Sequence, residues 1–336
     1  MTSMMNISPP YLLFIGDAVD PLSIKMARSA ADWCGEHCVG EFTLPGCQVS
    51  TGLRNMSIAE AAKLGAKTFV LGFANSGGTL APEWIPSILE ALDGGLHIVS
   101  GLHDKLCDIE PIATKAKLLN RQLIDLRHPQ DKFRTGTGAK RSGKRVLTVG
   151  TDCSVGKMYT SLSIKREMDK RGLPSTFRAT GQCGILISGA GIAIDCVVAD
   201  FISGAVESLS PANSNDHWDI IEGQGSLFHP AFAGVSLGLL HGAQADALVV
   251  CHAFGREHIR GLTQYALPSL EQCIELNERT ARLTNKNAKV VGISVNSSCL
   301  HEQDALQACS ELSERLDLPV IDPFRHDMST LMDNFL

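Results

Sequence analysis

The chain has 336 residues, 44% of them apolar and 20% charged, with a net charge of −6 at neutral pH. That length accommodates two domains with separate cores, and the balance is that of a globular protein. An acidic chain without a long Lys/Arg cluster lacks the electrostatic footprint of nucleic-acid binding. No stretch reaches the apolar length of a membrane span, and residues 1–10 lack the pattern of a secretory signal. The 11 cysteines include no C-x-x-C pair, which fits a reducing compartment. A cytoplasmic protein is therefore expected, with no membrane or nucleic-acid partner. Cys34 and Cys38 would share one face of a helix, but no second pair matches them as zinc ligands.

Residues 11–15 read as a buried strand that stops at Gly16-Asp17, and residues 22–33 have helical spacing. A helix at 59–64, a strand at 68–71, a helix at 82–92, a strand at 96–99, a helix at 112–119 and a strand at 122–126 follow. Glycines just past strand ends mark the edge where open α/β sheets hold ligands. The loop at 75–78 and Arg54 are thus expected on the wall of a cleft, ordinary turns being the competing reading. Residues 132–144 turn polar, basic and Gly-rich, which marks a boundary. We expect a first α/β domain over 1–135, a linker over 136–144 and a second α/β domain over 145–336.

The second domain opens on the most informative stretch. A strand at 145–149 runs into Gly150-Thr151-Asp152-Cys153-Ser154-Val155-Gly156-Lys157-Met158, and a helix continues to the stop signal Lys170-Arg171-Gly172. Strand, Gly-bearing loop with a terminal Gly-Lys, then helix is the layout of a phosphate cradle. Backbone N–H groups converge there, the helix N-terminus adds partial positive charge, and the Lys ammonium closes over the anion. Residues Thr151 to Met158 are the expected contacts. Met158 stands where Ser or Thr would ligate magnesium, and a thioether is a poor ligand for a hard cation, so no metal is expected. A Gly-rich turn without a ligand is the alternative.

A strand from 175 leads into a loop carrying Arg178, Thr180 and Gln182. Asp195 and Asp200 then stand in an apolar, small-residue run, where carboxylates either have partners at a site or cap helices. After a helix around 204–207, a strand at 218–221 ends in Glu222-Gly223-Gln224-Gly225. Glu222 and His229 are the best acid/base candidates, against a helix-capping Glu and a His packed beside Pro230. The strand at 247–251 exposes His252, Arg256, His258 and Arg260, a set suited to carboxylate or phosphate or to a solvated loop. A helix at 270–283, a strand at 289–296, a helix at 306–316 and a strand at 319–322 complete an alternation that predicts a parallel sheet covered on both faces.

The loop at 150–157 looks like that of dethiobiotin synthetase and its relatives, and Glu222-Gly223 resembles their second motif. Asn296 falls near their base-contacting strand. The likeness breaks at Met158, where those enzymes carry threonine. A closer resemblance runs through Arg178-Ala-Thr-Gly-Gln182, the stretch from Asp195 to Glu207, and the stretch from Asp219 to Pro230. Together with the loop, these resemble a P-loop family formerly of unknown function that includes D-glutamate N-acetyltransferase. That resemblance implies an N-terminal Rossmann-like domain, a C-terminal P-loop NTPase-like domain, and acetyl-CoA as co-substrate. The loop would hold phosphates of coenzyme A, and with no phosphoryl group moving, the missing magnesium ligand costs nothing. Glu222, His229, Asp195 and Asp200 are the expected bases for the amine, and Arg178, Arg54, Arg256 and Gln182 the expected partners of an acidic amino acid. N–H groups around residues 223–226 would stabilise the oxyanion. The rival readings are an ATP- and magnesium-dependent ligase or kinase, and a non-catalytic nucleotide- or CoA-binding regulator. A covalent route through Cys153 is a variant of the acetyl transfer. A homo-oligomer is expected because that is the common state of soluble assemblies.

Overall fold

In the computed structural model, which describes residues 5, 7–74, 76–129 and 131–336, the chain forms two compact units. The first comprises the described residues before 131 together with Gly181–Cys196, and the second comprises Asp131–Thr180 and Val197–Leu336.

The first unit alternates β1 (Tyr11–Gly16), α1 (Lys25–Cys34), β2 (Cys38–Thr43), α2 (Ile58–Lys63), β3 (Thr68–Leu71), α3 (Ile85–Asp93), β4 (His97–Ser100), α4 (Glu110–Leu118) and β5 (Leu123–Asp125). Its sheet is parallel throughout, in the order β2-β1-β3-β4-β5. β1 and β3 are buried along their whole length, as strands covered on both faces must be. Phe14 stacks on Phe42 and Phe69 at ring separations of 5.6 and 5.1 Å, and this aromatic row anchors the core. The strands expected at 11–15, 68–71, 96–99 and 122–126 are all present. The helix expected from 22 begins instead as a 3-10 turn, Pro21–Ile24, where Pro supplies the fixed φ of a helix start. Cys34 and Cys38 do not share a helix face: Cys34 ends α1, a 3-10 turn intervenes, and Cys38 opens β2.

The second half of the chain runs β6 (Lys144–Gly150), α5 (Lys157–Lys170), β7 (Ser175–Arg178), α6 (Gln182–Ser188), α7 (Ile202–Leu209), β8 (Trp218–Ile221), α8 (Ala233–Ala243) and β9 (Ala247–Ala253). A hairpin of β10 (His258–Ile259) and β11 (Leu262–Ala266) follows, then α9 (Leu270–Ala281), β12 (Lys289–Asn296), α10 (Glu302–Leu316), β13 (Val320–Ile321) and α11 (Ser329–Asp333). The six-stranded sheet is parallel, ordered β13-β12-β9-β6-β8-β7. β6 lies inside it, between β8 and β9. Val146, Ile220, Val249 and Val291 pack with Ile164 and Met168 of α5 and with Leu331 and Met332 of α11. Among the described residues, no helix is long and apolar enough to cross a membrane.

The sequence break at 132–144 lies beside Asp131, where the second unit starts, although Lys144 already belongs to β6. Gly181–Cys196, expected with the C-terminal domain, belongs to the first unit. The reason is local: α6 packs on α1, and Asp195 pairs with Arg127.

Candidate functional site

The phosphate-type loop follows β6 at the carboxyl edge of the second unit's sheet. Strand register sets its walls, because Gly150 pairs with Cys251 of β9 and Leu147 with Ile221 of β8. Glu222-Gly223 therefore emerges beside the loop on one side and His252 on the other. Gly223 N–H donates to Thr148 Oγ1 at 2.9 Å, and Thr148 Oγ1 lies 3.0 Å from Ser161 Oγ of α5. Gly156 has a φ of +101°, a left-handed backbone that favours glycine. It precedes α5 without providing a side-chain cap, which leaves the first-turn N–H groups of that helix for an anion.

Lys157 is buried, and its Nζ donates to Asp152 O at 2.7 Å. Burial pushes its pKa down, opposed by Cys153, Cys251 and Asp152. Asp152 is fully buried and has both carboxylate oxygens engaged. Oδ1 accepts from Cys153 N–H at 2.6 Å, and Oδ2 accepts from Arg256 Nη1 and Arg260 N–H, each at 2.8 Å. Arg256 also donates to the carbonyls of Cys153 and Ser154, at 2.7 and 3.2 Å, and Arg260 Nη1 reaches Ser154 Oγ at 2.6 Å. The two arginines flanking and entering the β10–β11 hairpin thus brace the loop through its one buried carboxylate. Thr151 is held from both sides, with His252 Nδ1 3.1 Å from its Oγ1 and Ser226 Oγ donating to its carbonyl at 3.1 Å.

Glu222 is buried, accepts Thr180 N–H at 2.8 Å through Oε2, and takes the Thr180 hydroxyl on its carbonyl at 2.6 Å. His229 is also buried and lies against the Phe232 ring at 4.4 Å. Ala231 N–H donates to His229 Nδ1 at 3.2 Å, so the neutral ring carries its proton on Nε2. With that tautomer, Nε2 donates rather than accepts. Ligand atoms of Asp152, Cys153 and His229 all lie within 4.8 Å of one another, so the loop and His229 form one cluster.

The other expected site residues fall elsewhere. Arg178 sits at the end of β7, where its Nε donates to buried Asp219 at 2.8 Å. Arg54 is an exposed residue of the first unit, paired with Glu60 at 3.4 Å. Gln182 lies buried in α6, and Asp195 pairs with Arg127, both within the first unit. Asp200 is exposed in the 3-10 turn Ala199–Phe201 and makes no ion pair among the described residues. Asn75 lies outside the described residues. The structure thus brings Thr151 to Met158, Glu222, His229 and Arg256 together; Arg178 meets Glu222 only through its backbone carbonyl, which accepts Glu222 N–H at 3.1 Å, Asp200 is exposed, and Arg54, Gln182 and Asp195 belong to the first unit. Sequence reasoning passed over the side chains of Thr148, Ser226 and Arg127. The signal for Arg127 was available, since it follows directly on a predicted parallel strand.

The P-loop domain model of DUF1611, a domain of unknown function, matches residues 132–332, and the family's Rossmann-like N-terminal domain matches residues 42–129. A relative from Pseudoalteromonas sp named D-glutamate N-acetyltransferase is 61% identical over 98% of this chain and 99% of its own. One of the same name from Tritonibacter scottomollicae is 49% identical over 97% of this chain and 98% of its own. The crystal structure of a DUF1611 family protein from Anabaena variabilis superposes with a TM-score of 0.87 at 28% identity, covering 98% of this chain and 99% of that one. Two parallel sheets, the loop after β6 and these full-length similarities agree: the chain belongs to the DUF1611 family, with a Rossmann-like N-terminal domain and a P-loop C-terminal domain.

Proposed function

We infer that this protein is an N-acetyltransferase that moves an acetyl group from acetyl-CoA to the amino group of D-glutamate. The observation that carries the reading is the loop from Thr151 to Met158, read with the two relatives of that name. The loop offers N–H groups, a helix N-terminus and a buried ammonium to phosphate, yet places a buried thioether where a metal-ligating hydroxyl would stand. Such a cradle suits a cofactor whose phosphates are held and not transferred. The acyl donor is then acetyl-CoA, with its phosphates at the loop.

The pantetheine arm sets a distance. Its run of single bonds separates the thioester from the pyrophosphate by on the order of 15 Å when extended. Groups on the loop itself therefore serve the phosphate end. His229 Nε2–H donates toward the anion, and Glu222, pinned by Thr180 N–H, orients the Gly223 turn. The base that frees the amine from its ammonium form belongs at the other end of the arm. The same distance argues against Cys153 as an acyl carrier.

Thiol release from acetyl-CoA, measured over a panel of D- and L-amino acids with EDTA or magnesium present, tests this. Release with D-glutamate, undiminished by EDTA and accompanied by N-acetylglutamate in the mass spectrum, is the expected result. ADP formed from ATP and magnesium, with no thiol released, would move the protein to the ligase reading.

A further inference from the structure

The first unit carries a charged cluster that the phosphate loop does not use. Arg127 follows β5 at the carboxyl edge of the sheet, where open parallel sheets hold ligands. It is 8% exposed, donates through Nε to Gly101 O at 2.9 Å, and pairs through Nη1 with Asp195 Oδ2. The Asp195 side chain is 29% exposed, and its Oδ1 accepts no hydrogen bond among the described residues. His103, in the loop after β4, lies with Nδ1 3.6 Å from Cys196 Sγ, and its carbonyl is 2.9 Å from His128 Nε2. Burial and then Arg127 push the His103 pKa down, with Asp195 and Asp104 opposing and His128 adding to the push. Burial, then Asp195, push the Cys196 thiol up to about 11. The cluster thus presents one guanidinium and one carboxylate in contact, beside a His103 ring and a Cys196 thiol both held toward their uncharged forms, with Asp104 near His103.

The pair is not sealed: the Asp195 side chain is 29% exposed, and its Oδ1 accepts none of the hydrogen bonds among the described residues, beside the Arg127 guanidinium. Opposite charges so paired complement the carboxylate and ammonium of a free α-amino acid. Asp195, singled out in the sequence as a carboxylate in an apolar run, thereby gains a role within the first unit.

We propose that Arg127 and Asp195 form a binding subsite for a free α-amino acid, Arg127 taking the α-carboxylate and Asp195 the α-ammonium. Identifying that amino acid as the acetyl acceptor rests on the acetyltransferase reading above; the binding itself does not. The experiment uses the full chain and its near-isosteric variants Asp195→Asn and Arg127→Lys, each first shown to keep a cooperative thermal transition. Calorimetry with D-glutamate, coenzyme A present, should show affinity falling at least about tenfold in each, as loss of a charge-assisted hydrogen bond implies. Glutarate, which lacks the ammonium, should bind the wild type weakly and not distinguish it from Asp195→Asn. In turnover, the KM for D-glutamate should rise at least about tenfold while that for acetyl-CoA stays within about twofold. Wild-type affinity for D-glutamate in both folded variants would overturn the proposal, and so would no D-glutamate binding by the wild type. Binding that the variants weaken, without any acetyl transfer, would uphold the subsite and refute the acetyltransferase reading.

Discussion

His252 ties the phosphate loop to pH. It stands beside Thr151, and burial, then Arg256, lower its pKa to about 4. A histidine that resists protonation when folded takes up its proton readily when unfolded, so acid favours unfolding. Its contribution, at most about 3 kcal/mol, is fully present above the unfolded value near 6.5 and is lost as pH falls to about 4. His97, His103 and His241 are shifted in the same direction. Urea unfolding between those pH limits should give a slope that His252→Gln lowers by up to one proton's worth. Parallel profiles for variant and wild type would sink the idea. Gly223 makes a second residue-scale case, because a Cβ there would lie 1.7 Å from the Thr148 carbonyl oxygen. Backbone cannot yield as a side-chain tip can, so Gly223→Ala should cost ~3 kcal/mol or more. A melting temperature within a few degrees of wild type would contradict that packing. The sequence marked Gly223 as a turn residue after a strand, but the reason for glycine there is a close approach that only the assembled sheet creates.

At the scale of elements, the brace on the loop comes from the segment around the β10–β11 hairpin. Arg256 was visible in the sequence as one member of a basic cluster after a strand, with substrate its expected partner. The structure commits it to Asp152 and to two loop carbonyls. The hairpin itself was not legible, because it is short and its second strand is largely exposed, leaving no alternation to read. By contrast β3, β8 and β12 stand where their apolar runs placed them, since strands buried on both faces write an uninterrupted signature. Arg256→Ala would leave the buried Asp152 carboxylate with two N–H donors but no cation. We expect a loss of roughly 2–4 kcal/mol, somewhat below the usual cost of orphaning a buried charge because those donors remain. Arg256→Lys, which keeps the charge but loses the fork, should fall between. If acetyl-CoA is held as proposed above, urea midpoints and the KM for acetyl-CoA should move together in this series. A stability loss with an unchanged KM would separate the brace from the ligand and refute its part in holding phosphate.

At the scale of the whole molecule, the order of the chain and the order of the folded units differ. Residues 181–196 follow the first crossover of the P-loop sheet in sequence but belong to the Rossmann-like unit. Composition could not reveal this, since an apolar, small-residue run reports burial and not the surface it is buried against. Physically the segment does two things within that unit: α6 covers α1, and Asp195 supplies the partner of buried Arg127. A fragment of residues 1–130 should therefore fold poorly, with α1 stripped of its cover and a buried guanidinium left without its anion. Joining residues 181–196 to that fragment through a short Gly/Ser linker should restore a cooperative thermal transition, seen by circular dichroism and by dispersed amide signals. Within the joined fragment, Asp195→Ala should weaken the transition more than a change at the exposed residue Leu118, which lies on α4 in the same unit. If residues 1–130 alone melt as cooperatively, and at the same temperature, as the joined fragment, then the inserted segment merely rests on the unit. In that case the boundary over 132–144 drawn from composition would describe the folding units better than the contacts do.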